Sequence, residues 1–513
     1  MSNLGGRGLF ITIGLDTPSP ICDPRWLNRR RAGFHLRNRF ASVSQMNTFH
    51  SSVLFLMVAS SLSGSAPALN TEQQKCVGKA KRFERAGWIY LHVEGAARER
   101  GFQHGFLLAK EIGEAMRVTK KEWEYQSAME WKWLVTNAAA MFVPKIDTES
   151  MAELEGVAEG ARAGGVEVSR DEMIAYNGII ELSDYWWPLE KKKMKDAEPT
   201  PTRQSCSSFI ATGSCTKDGN IVLGHNTMQS YQEVWPNVIE DIVPTKGHHI
   251  FWQTSPGWIH SGTDFFITDA GLVGSETTIG NFEGFDTNGV PEFTRMRRAT
   301  QDAGSVAEWA EIMRKDNNGG YANAWLIGDI NTREIARLEL GLKYTAYEKK
   351  RDGYFIGSNV AEDRKILLLE TERNDTDIRS SSVARRVRWR QLMKQYNGKI
   401  DVALAKKFEG DHFDTYRNKL MPSGRTLCGH FDLDADAGGQ GQGVPFDGSG
   451  TVDAKVVDAA MAKRMSFAAR WGSGCGIAFS ANKYLAAHPQ FEWMSDLLRD
   501  RPSEPWVAFR AGE

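Results

Sequence analysis

A polar linker gives way to a strand-like segment within the stretch Arg203-Gln204-Ser205-Cys206-Ser207-Ser208-Phe209-Ile210. Residues 191 to 202, just before it, are rich in lysine and proline and hold too little apolar surface to repay ordering. Apolar runs then flank Lys217-Asp218-Gly219-Asn220, and Asp-Gly between such runs predicts a hairpin because glycine tolerates positive φ. If the linker were cut before Cys206, this cysteine would become the first residue of a strand.

Cys206 is therefore a candidate nucleophile. A free thiol has a pKa of about 8.5 and needs a base beside it. A cysteine at a new chain start carries its own base, because the α-amino group titrates at about 7.7 to 8.0. The spacing alone leaves another interpretation open, in which Cys206 and Cys215 form a disulfide in an exported protein.

Composition narrows the class of protein. The chain has 513 residues, 41% of them hydrophobic, which is enough for one large layered domain or two moderate ones. Its 63 basic and 64 acidic side chains give a formal net charge of -1, so no overall field favours nucleic acid. Six cysteines are too few for a disulfide scaffold, and neither Cys-x-x-Cys nor His-Glu-x-x-His occurs. We therefore expect no metal site and no cofactor.

Residues 1–68 are expected to be an N-terminal extension and a signal peptide. An apolar run, Val53-Leu54-Phe55-Leu56-Met57-Val58-Ala59, precedes small residues that end in Ala66-Pro67-Ala68, as a secretory signal and its cleavage site do. The run is too short for a membrane helix, which needs about 20 apolar residues. We expect a secreted or periplasmic protein without a transmembrane segment.

The rest of the chain has the pattern of sheets covered by helices. Apolar side chains at helical spacing predict a helix from Phe102 to Met116 and another from Met151 to a stop at Gly164-Gly165. Capping boxes predict two more helix starts, at Ser169 with Glu172 and at Ser305 with Glu308. Strand-like runs occur at residues 265–268 and 324–327.

Several stretches together resemble a known family. Residues 93–105 and 154–160 resemble the pro-segment of cysteine autoproteolytic acyltransferases of the isopenicillin N acyltransferase type. The related phospholipase B-like proteins are closer still, through Ser205-Cys206-Ser207, Gly224-His225-Asn226-Thr227, residues 275–281 and Tyr321-Ala322-Asn323-Ala324-Trp325. The resemblance implies an α+β fold, the four-layer αββα sandwich of N-terminal-nucleophile hydrolases, with two antiparallel sheets between helix layers.

The same resemblance implies an inactive precursor that is cut between Ser205 and Cys206. Residues 69–190 would be the helical pro-segment or α-chain, 191–205 the linker that is cut or removed, and 206–513 the catalytic β-chain. The two chains would fold as one domain and stay associated, with a homodimer left open. The Cys206 thiol would open the peptide bond and then form an acyl-enzyme with a substrate, without a cofactor.

The resemblance also implies further site residues. Asn323 is the candidate side-chain donor to the oxyanion, and the Thr278 backbone amide is the candidate second donor. More distant relatives, the bile salt hydrolases and penicillin V acylases, share the pattern of residues 381–388, which identifies Arg385 as a guanidinium near the nucleophile. An exposed basic helix face is the alternative interpretation of this arginine-rich run.

One position departs from those distant relatives. Their Gly-Arg-Asn-x-Asp stretch supplies an aspartate near the nucleophile, whereas this chain has Met228 at the last position. A thioether cannot accept a charged hydrogen bond from an amino terminus. We expect His225 or Asn226 to orient the nucleophile instead, and His225 can also carry a proton.

The sequence thus predicts a self-processing cysteine hydrolase or acyltransferase. Its substrate would be a small-molecule or lipid acyl compound, an amide or an ester, such as a phospholipid or an N-acyl compound. Two alternatives stay open: an unprocessed cysteine hydrolase with His225 or His430 as its base, and a secreted binding protein with a Cys206–Cys215 disulfide.

Overall fold

The structure is a computed structural model that describes residues 69–194, 206–233, 237–262, 264–372, 375–436 and 444–513. All of these residues belong to one compact unit, Gly64–Glu513. The expected signal peptide at residues 1–68 and the end of the linker, residues 195–205 with Ser205, lie outside the described residues. Among the helices that are described, none has the length and apolarity needed to cross a membrane.

The described strands form two large sheets and one small one. In chain order they are β1 Lys81–Arg85, β2 Trp88–Gly95, β3 Ser207–Thr212, β4 Val222–Ser230, β5 Val238–Pro244, β6 Ile250–Thr254, β7 Phe265–Thr268, β8 Leu272–Thr278, β9 Asn323–Asp329, β10 Glu334–Leu340, β11 Thr345–Lys350, β12 Gly353–Gly357, β13 Phe413–Asp414, β14 Lys419–Leu420, β15 Ser449–Asp458, β16 Ser466–Trp471 and β17 Val507–Arg510.

The helices of the same residues cover the sheets. In chain order they are α1 Thr71–Val77, α2 Ala97–Leu107, α3 Ala109–Ser127, α4 Trp131–Phe142, α5 Thr148–Ala163, α6 Arg170–Asn177, α7 Trp187–Lys193, α8 Glu292–Asp302, α9 Val306–Arg314, α10 Arg364–Leu369, α11 Ser381–Gln395, α12 Val402–Phe408, α13 Ala459–Ala462 and α14 Ala481–Ala487.

Within the described residues, one sheet has nine strands in the order β1-β2-β5-β6-β7-β8-β9-β10-β11. The second has six, in the order β12-β3-β4-β15-β16-β17, and β13 pairs with β14. Neighbouring strands are antiparallel except β2 and β5, which are parallel. Because β1 and β2 precede the linker, residues on both sides of it build the nine-stranded sheet.

Three apolar clusters define the layers. The side chains between the two sheets come from both of them, for example Ile239 and Leu326 of the larger sheet and Leu223 and Phe467 of the smaller. The outer face of the nine-stranded sheet packs against α3 to α6, α8 and α9. The outer face of the six-stranded sheet packs against α11 and α12. The expected four-layer αββα sandwich is confirmed.

Helices α2 and α5 pack with their backbones in close contact. A Cβ atom on Gly101 would lie 2.1 Å from the carbonyl oxygen of Glu153, and one on Gly156 would lie 2.3 Å from that of Arg98. Gly105 and Gly160 make equally close approaches one helical turn further along. These glycines lie in the two stretches that carry the family resemblance, and their absent side chains are what lets the helices approach.

The predicted elements are largely present, with three differences. At the start of α9, Ser305 accepts from the Glu308 N–H, but the Glu308 carboxylate accepts from Gly304, so that predicted capping box is only half formed. The predicted hairpin is formed by β3 and β4, and α5 ends at Gly164 as expected. Ser169 and Glu172 form the predicted capping box of α6. The helix expected from Phe102 to Met116 is interrupted at Leu108, where the backbone leaves helical geometry (φ -111°, ψ 18°). Strand β3 begins one residue after Cys206.

The close contact of α2 with α5 gives a testable prediction. We expect Gly156→Ala to lower the free energy of unfolding by about 3 kcal/mol, because the new methyl group would overlap backbone atoms that cannot move alone. Gly113→Ala on α3 is the matched control. Its Cβ would lie 3.2 Å from a Val166 methyl group, and alanine is the better helix former by about 1 kcal/mol. Urea unfolding of both variants measures the difference, and equal stabilities would contradict the packing.

Candidate active site

Cys206 lies directly before β3 and is 1% exposed. Its backbone has a φ of +75°, the left-handed region that non-glycine residues rarely adopt. Asp264, before β7, has a φ of +66°. Backbone strain of this kind costs on the order of 1–3 kcal/mol and concentrates at functional sites.

The Cys206 side chain lines a cavity of about 120 Å³. Thr227, Met228, Asp264, Thr278 and Tyr321 line the same cavity. Side chains of the helix layer on the larger sheet complete the wall. The apolar ones are Trp123, Tyr176, Ile179 and Ile180, joined by the loop residue Trp258, and the polar ones are Thr119, Glu122, Gln126, Ser183 and Asp184. The nucleophile candidate thus faces a pocket that can hold an apolar group.

His225 and Asp264 lie beside the thiol. One ring nitrogen of His225, one carboxylate oxygen of Asp264 and the Cys206 sulfur are all within 4.8 Å of one another. Nε2 of His225 lies 3.0 Å from the Glu276 carbonyl oxygen, which only accepts, so Nε2 carries the hydrogen. Nδ1 therefore has the lone pair, and it has no partner among the described residues. Burial lowers the pKa of His225 well below its usual range, so the ring is neutral.

Asp264 also belongs to a buried pair of carboxyl groups, with Glu276. The Tyr321 hydroxyl lies 2.9 Å from Glu276 Oε2 and 3.1 Å from Asp264 Oδ2. Burial, followed by repulsion from Asp264, raises the pKa of Glu276 well above its usual range. The pKa of Asp264 is also raised by burial. Two carboxyl groups this close do not both ionise readily, so the pair keeps a proton near neutral pH.

Arg385 is buried in α11 and reaches the backbone of Cys206. Its Nη1 donates to the Cys206 carbonyl oxygen at 2.6 Å, and its Nη2 donates to Asn359 Oδ1 at 2.6 Å. Nε donates to Ser381 Oγ at 3.0 Å. Burial lowers the pKa of Arg385 to about 10, so the guanidinium stays charged at neutral pH. An exposed basic helix face is therefore the wrong interpretation of Arg385, which is 0% exposed.

Asn323 and Thr278 face each other across the β8–β9 ladder. The Asn323 side chain is fully buried, and neither its Nδ2 nor its Oδ1 has a partner among the described residues. Thr278 Oγ1 lies 3.2 Å from the Tyr321 hydroxyl, and its carbonyl oxygen accepts from Asn359 Nδ2 at 2.8 Å. A buried amide without partners is costly, so Asn323 has unused hydrogen-bonding capacity, although it is not among the residues that line the cavity.

The Asn226 side chain points away from Cys206. Its Nδ2 donates to the carbonyl oxygens of Glu409 and Leu427, at 2.9 Å each, on the outer side of the six-stranded sheet. Successive side chains of a strand face opposite sides, so His225 and Asn226 cannot both face Cys206. The structure thus brings Cys206 together with His225 and Thr278, and it uses Asn226 to hold neighbouring loops.

A lysine lies behind the thiol, between the sheets. Lys455 Nζ is 2.6 Å from Asp453 Oδ1 and 2.6 Å from Thr227 Oγ1, and all three side chains are buried. Burial and then the Asp264 carboxyl raise the pKa of the Cys206 thiol, while Lys455 lowers it. Burial dominates, so the thiol is protonated in the uncut chain.

The structure argues against two of the open alternatives. Cys206 and Cys215 are both free thiols, and Cys215 packs in the apolar cluster against α11 and α12, so the Cys206–Cys215 disulfide is wrong. His430 lies beside Cys428 and Cys475, with its Nε2 at 3.6 Å and 3.4 Å from their sulfurs, and is not in the group at Cys206.

Three residues of the site were missed from the sequence. Glu276 and Tyr321 lie inside stretches that carried the family resemblance, which was the available signal for them. Asp264 belongs to no motif in the sequence. Asp264 places a carboxylate oxygen within 4.8 Å of the Cys206 sulfur.

Comparisons with known proteins agree with the resemblance. Residues 109–343 match the family described as Phospholipase B. The phospholipase B-like 2 protein of Homo sapiens is 32% identical over 166 residues, which are 29% of this chain and 27% of that protein. The phospholipase B of Crotalus adamanteus is 28% identical over 249 residues, 43% of this chain and 42% of that protein.

A conjugated bile acid hydrolase from Clostridium perfringens aligns with 9% identity and a TM-score of 0.28, covering 51% of this chain and 88% of that chain. The sequence matches confirm the resemblance to phospholipase B-like proteins. They cover only part of the relatives, since the chain spans 27% of the length of the human protein.

The carboxyl pair predicts a pH dependence of stability. Because the folded pair keeps a proton above the ordinary carboxyl pKa of about 4, the native state binds more protons than the unfolded chain, and stability falls as pH rises from about 5 towards the pKa of the pair. We expect Glu276→Gln to reduce that slope, by at most about 1.4 kcal/mol per pH unit. Thermal unfolding between about pH 5 and 8 measures it.

The exposed Glu167→Gln is the control for a charge change of the same kind. Buried His225 and His260 titrate in the opposite sense, with pKa values lowered by burial, but they are the same in both proteins and cancel in the comparison. An identical pH slope in wild type and Glu276→Gln would contradict proton sharing.

Proposed function

We propose that this phospholipase B-like chain is a self-processing cysteine N-terminal-nucleophile hydrolase that cleaves an acyl ester or amide. The observation that carries the proposal is the group formed by donor atoms of Cys206, His225 and Asp264 within 4.8 Å, of which Cys206 and Asp264 line a pocket. A nucleophile, a neutral base and a carboxyl group in contact are the parts that acyl transfer needs.

Processing would begin at the peptide bond before Cys206. The thiol gives its proton to the free ring nitrogen of His225, and the sulfur attacks the Ser205 carbonyl carbon. The C–N bond breaks, the proton goes to the leaving α-amino group, and a thioester joins Ser205 to the sulfur. Water hydrolyses the thioester, leaving a Ser205 carboxylate and a free Cys206. Release of the left-handed φ at Cys206 favours the cut.

Turnover would use the new amino terminus as base. An α-amino group ordinarily has a pKa of about 7.7 to 8.0, close to working pH, and it takes the thiol proton as the sulfur attacks the substrate. Asp264 is the carboxylate that can hold the resulting ammonium group, in place of the aspartate that Met228 does not supply. Arg385 holds the Cys206 carbonyl and thereby fixes the direction of the nucleophile.

The acyl oxygen would be stabilised by Asn323 Nδ2 and the Thr278 backbone amide. Asn323 is the stronger candidate because its buried amide has no partner among the described residues. Apolar side chains of the cavity, among them Trp123, Ile180 and Trp258, would receive the acyl chain. A lipid acyl ester fits both this lining and the names of the relatives, and a hydrophobic N-acyl amide fits the same pocket.

The proposal also covers the organisation of the precursor. Residues 1–68 would direct export and be removed, residues 69–190 would form the α-chain, and residues 206–513 the β-chain. Strand β2 of the α-chain pairs with β5 of the β-chain over Ile89–Gly95, so the two chains would stay associated after the cut.

A second candidate is an unprocessed cysteine hydrolase with His225 as its base. The free lone pair on His225 Nδ1 favours it, since that base is present before any cut. The two candidates differ in one observable, the amino terminus of the active protein.

The first test is intact mass and amino-terminal sequencing after incubation near neutral pH. We expect a fragment that begins at Cys206 in the wild type, and one uncut, inactive chain in Cys206→Ala, because both steps need the sulfur. Cys215→Ala, which changes a buried thiol outside the site, is the control and should be cut normally. An intact active wild type would support the unprocessed candidate, and normal cutting in Cys206→Ala would refute both.

A second test addresses the oxyanion donor. We expect Asn323→Ala to fold and to be cut, but to lower kcat about 100- to 1,000-fold with little change in KM, because the amide acts on charge that develops in the transition state. Steady-state kinetics on a series of acyl esters and acyl amides of increasing chain length would measure this and also identify the substrate class. Asn331→Ala, at the exposed β9–β10 turn, is the matched control. An unchanged kcat would remove Asn323 from the site.

A further inference from the structure

A second cluster of metal-ligating side chains shares no residue with the site at Cys206. His412, Cys428, His430 and Cys475 each offer one donor atom, and these four atoms lie within 4.8 Å of one another. The residues come from three segments: the turn after α12, the loop that precedes the short helix Phe431–Leu433, and the loop after β16. The fold therefore brings together ligands that are far apart in the sequence.

The distances fit a tetrahedral ion. Nε2 of His430 lies 3.6 Å from Cys428 Sγ and 3.4 Å from Cys475 Sγ. In a tetrahedral zinc site, with Zn–S of about 2.3 Å and Zn–N of about 2.0 to 2.1 Å, sulfur and nitrogen ligands stand about 3.5 Å apart. The two nitrogen–sulfur distances, 3.6 Å and 3.4 Å, lie on either side of that value.

Hydrogen bonds alone do not satisfy this cluster. Nε2 of His430 has one lone pair or one hydrogen, yet two sulfurs approach it. His412 Nε2 is buried and has no hydrogen-bond partner among the described residues. Cys428 is fully buried and His430 is 2% exposed, so solvent does not make up the difference. A cation at the centre would satisfy all four donors at once.

Cys475 also accepts a hydrogen bond of the kind that stabilises a thiolate. The backbone N–H of Ile477 donates to its sulfur at 3.4 Å. Thiolate is the form of cysteine that binds metals.

We propose that His412, Cys428, His430 and Cys475 bind one zinc ion as a closed structural site. Binding would replace the two thiol protons, which pass to solvent, and two thiolates with two neutral imidazoles would leave the site uncharged. Tetrahedral coordination by two sulfurs and two nitrogens is the preference of zinc, and four protein ligands leave no position for a reactive water. The zinc ion would hold together the three segments that carry its ligands, and it would take no part in acyl chemistry.

The zinc site would support the strand that carries His225. Asn226, the next residue of that strand, donates to the carbonyl oxygen of Leu427, the neighbour of Cys428. Cys475 lies in the loop after β16, and Gly474 before it packs against the Glu409 carbonyl, the other acceptor of Asn226. Fixing these loops would hold the outer side of the six-stranded sheet in place.

Metal analysis of the whole purified chain tests the proposal directly. We expect one zinc per chain after expression with zinc supplied, and a cobalt-substituted protein with the intense visible absorption of tetrahedral thiolate coordination. We expect His412→Asn and Cys475→Ser to lose the zinc. Cys206→Ala and Cys215→Ala are the matched controls and should keep it, which separates this site from the cluster at Cys206.

The competing outcome is a Cys428–Cys475 disulfide. Alkylation under non-reducing, denaturing conditions with a zinc chelator would leave both cysteines unmodified if they were bridged, and would modify both if zinc held them. A disulfide, a wild-type protein without zinc, or zinc retained in both ligand variants would each overturn the proposal. If the variants fail to fold, the metal content and the cobalt spectrum of the wild type still decide it. Neither result depends on whether the chain is cut at Cys206.

Discussion

The bond between the Arg385 guanidinium and the Cys206 carbonyl oxygen is the interaction on which the site depends. It crosses from the helix layer of α11 to the end of β3, and the same guanidinium holds Asn359, which in turn holds the Thr278 carbonyl. One buried cation thereby fixes the backbone of the candidate nucleophile and the strand that carries a candidate oxyanion donor. Removing a buried charge from such a network leaves its partners unsatisfied, so the arrangement tolerates little change.

Charge between the two sheets is balanced locally. Lys455 pairs with Asp453, while Asp264 and Glu276 share a proton through contact with Tyr321. His225 is held neutral by burial. The low dielectric between the sheets strengthens each of these electrostatic effects.

The sequence was most informative where backbone geometry dictates residue type. Gly156 and Gly160 are required by the contact of α5 with α2, whereas the arginine-rich pattern around Arg385 also fits an exposed helix face and is decided only by the burial of Arg385. Layer order followed from the resemblance, and the capping box at Ser169 followed from local hydrogen bonding alone.

Other features depend on contacts between segments that are distant in the sequence. Asp264 approaches Cys206 only once β7 has joined the larger sheet, and a single aspartate before a strand has no distinguishing pattern. The break at Leu108 is equally hidden, because the apolar stripe continues on both sides of it. His412 precedes β13 and Cys475 follows β16, so no spacing rule could have connected them.

The parallel pairing of β2 with β5 joins residues from the two sides of the linker inside one sheet. While the chain is continuous, refolding is a unimolecular event. If the linker were cut, the same strands would belong to two chains, and refolding after denaturation would have to bring the two separate chains together again. A cut enzyme of this design would therefore persist through slow unfolding and would recover poorly after denaturation, so its working lifetime would be kinetic in origin.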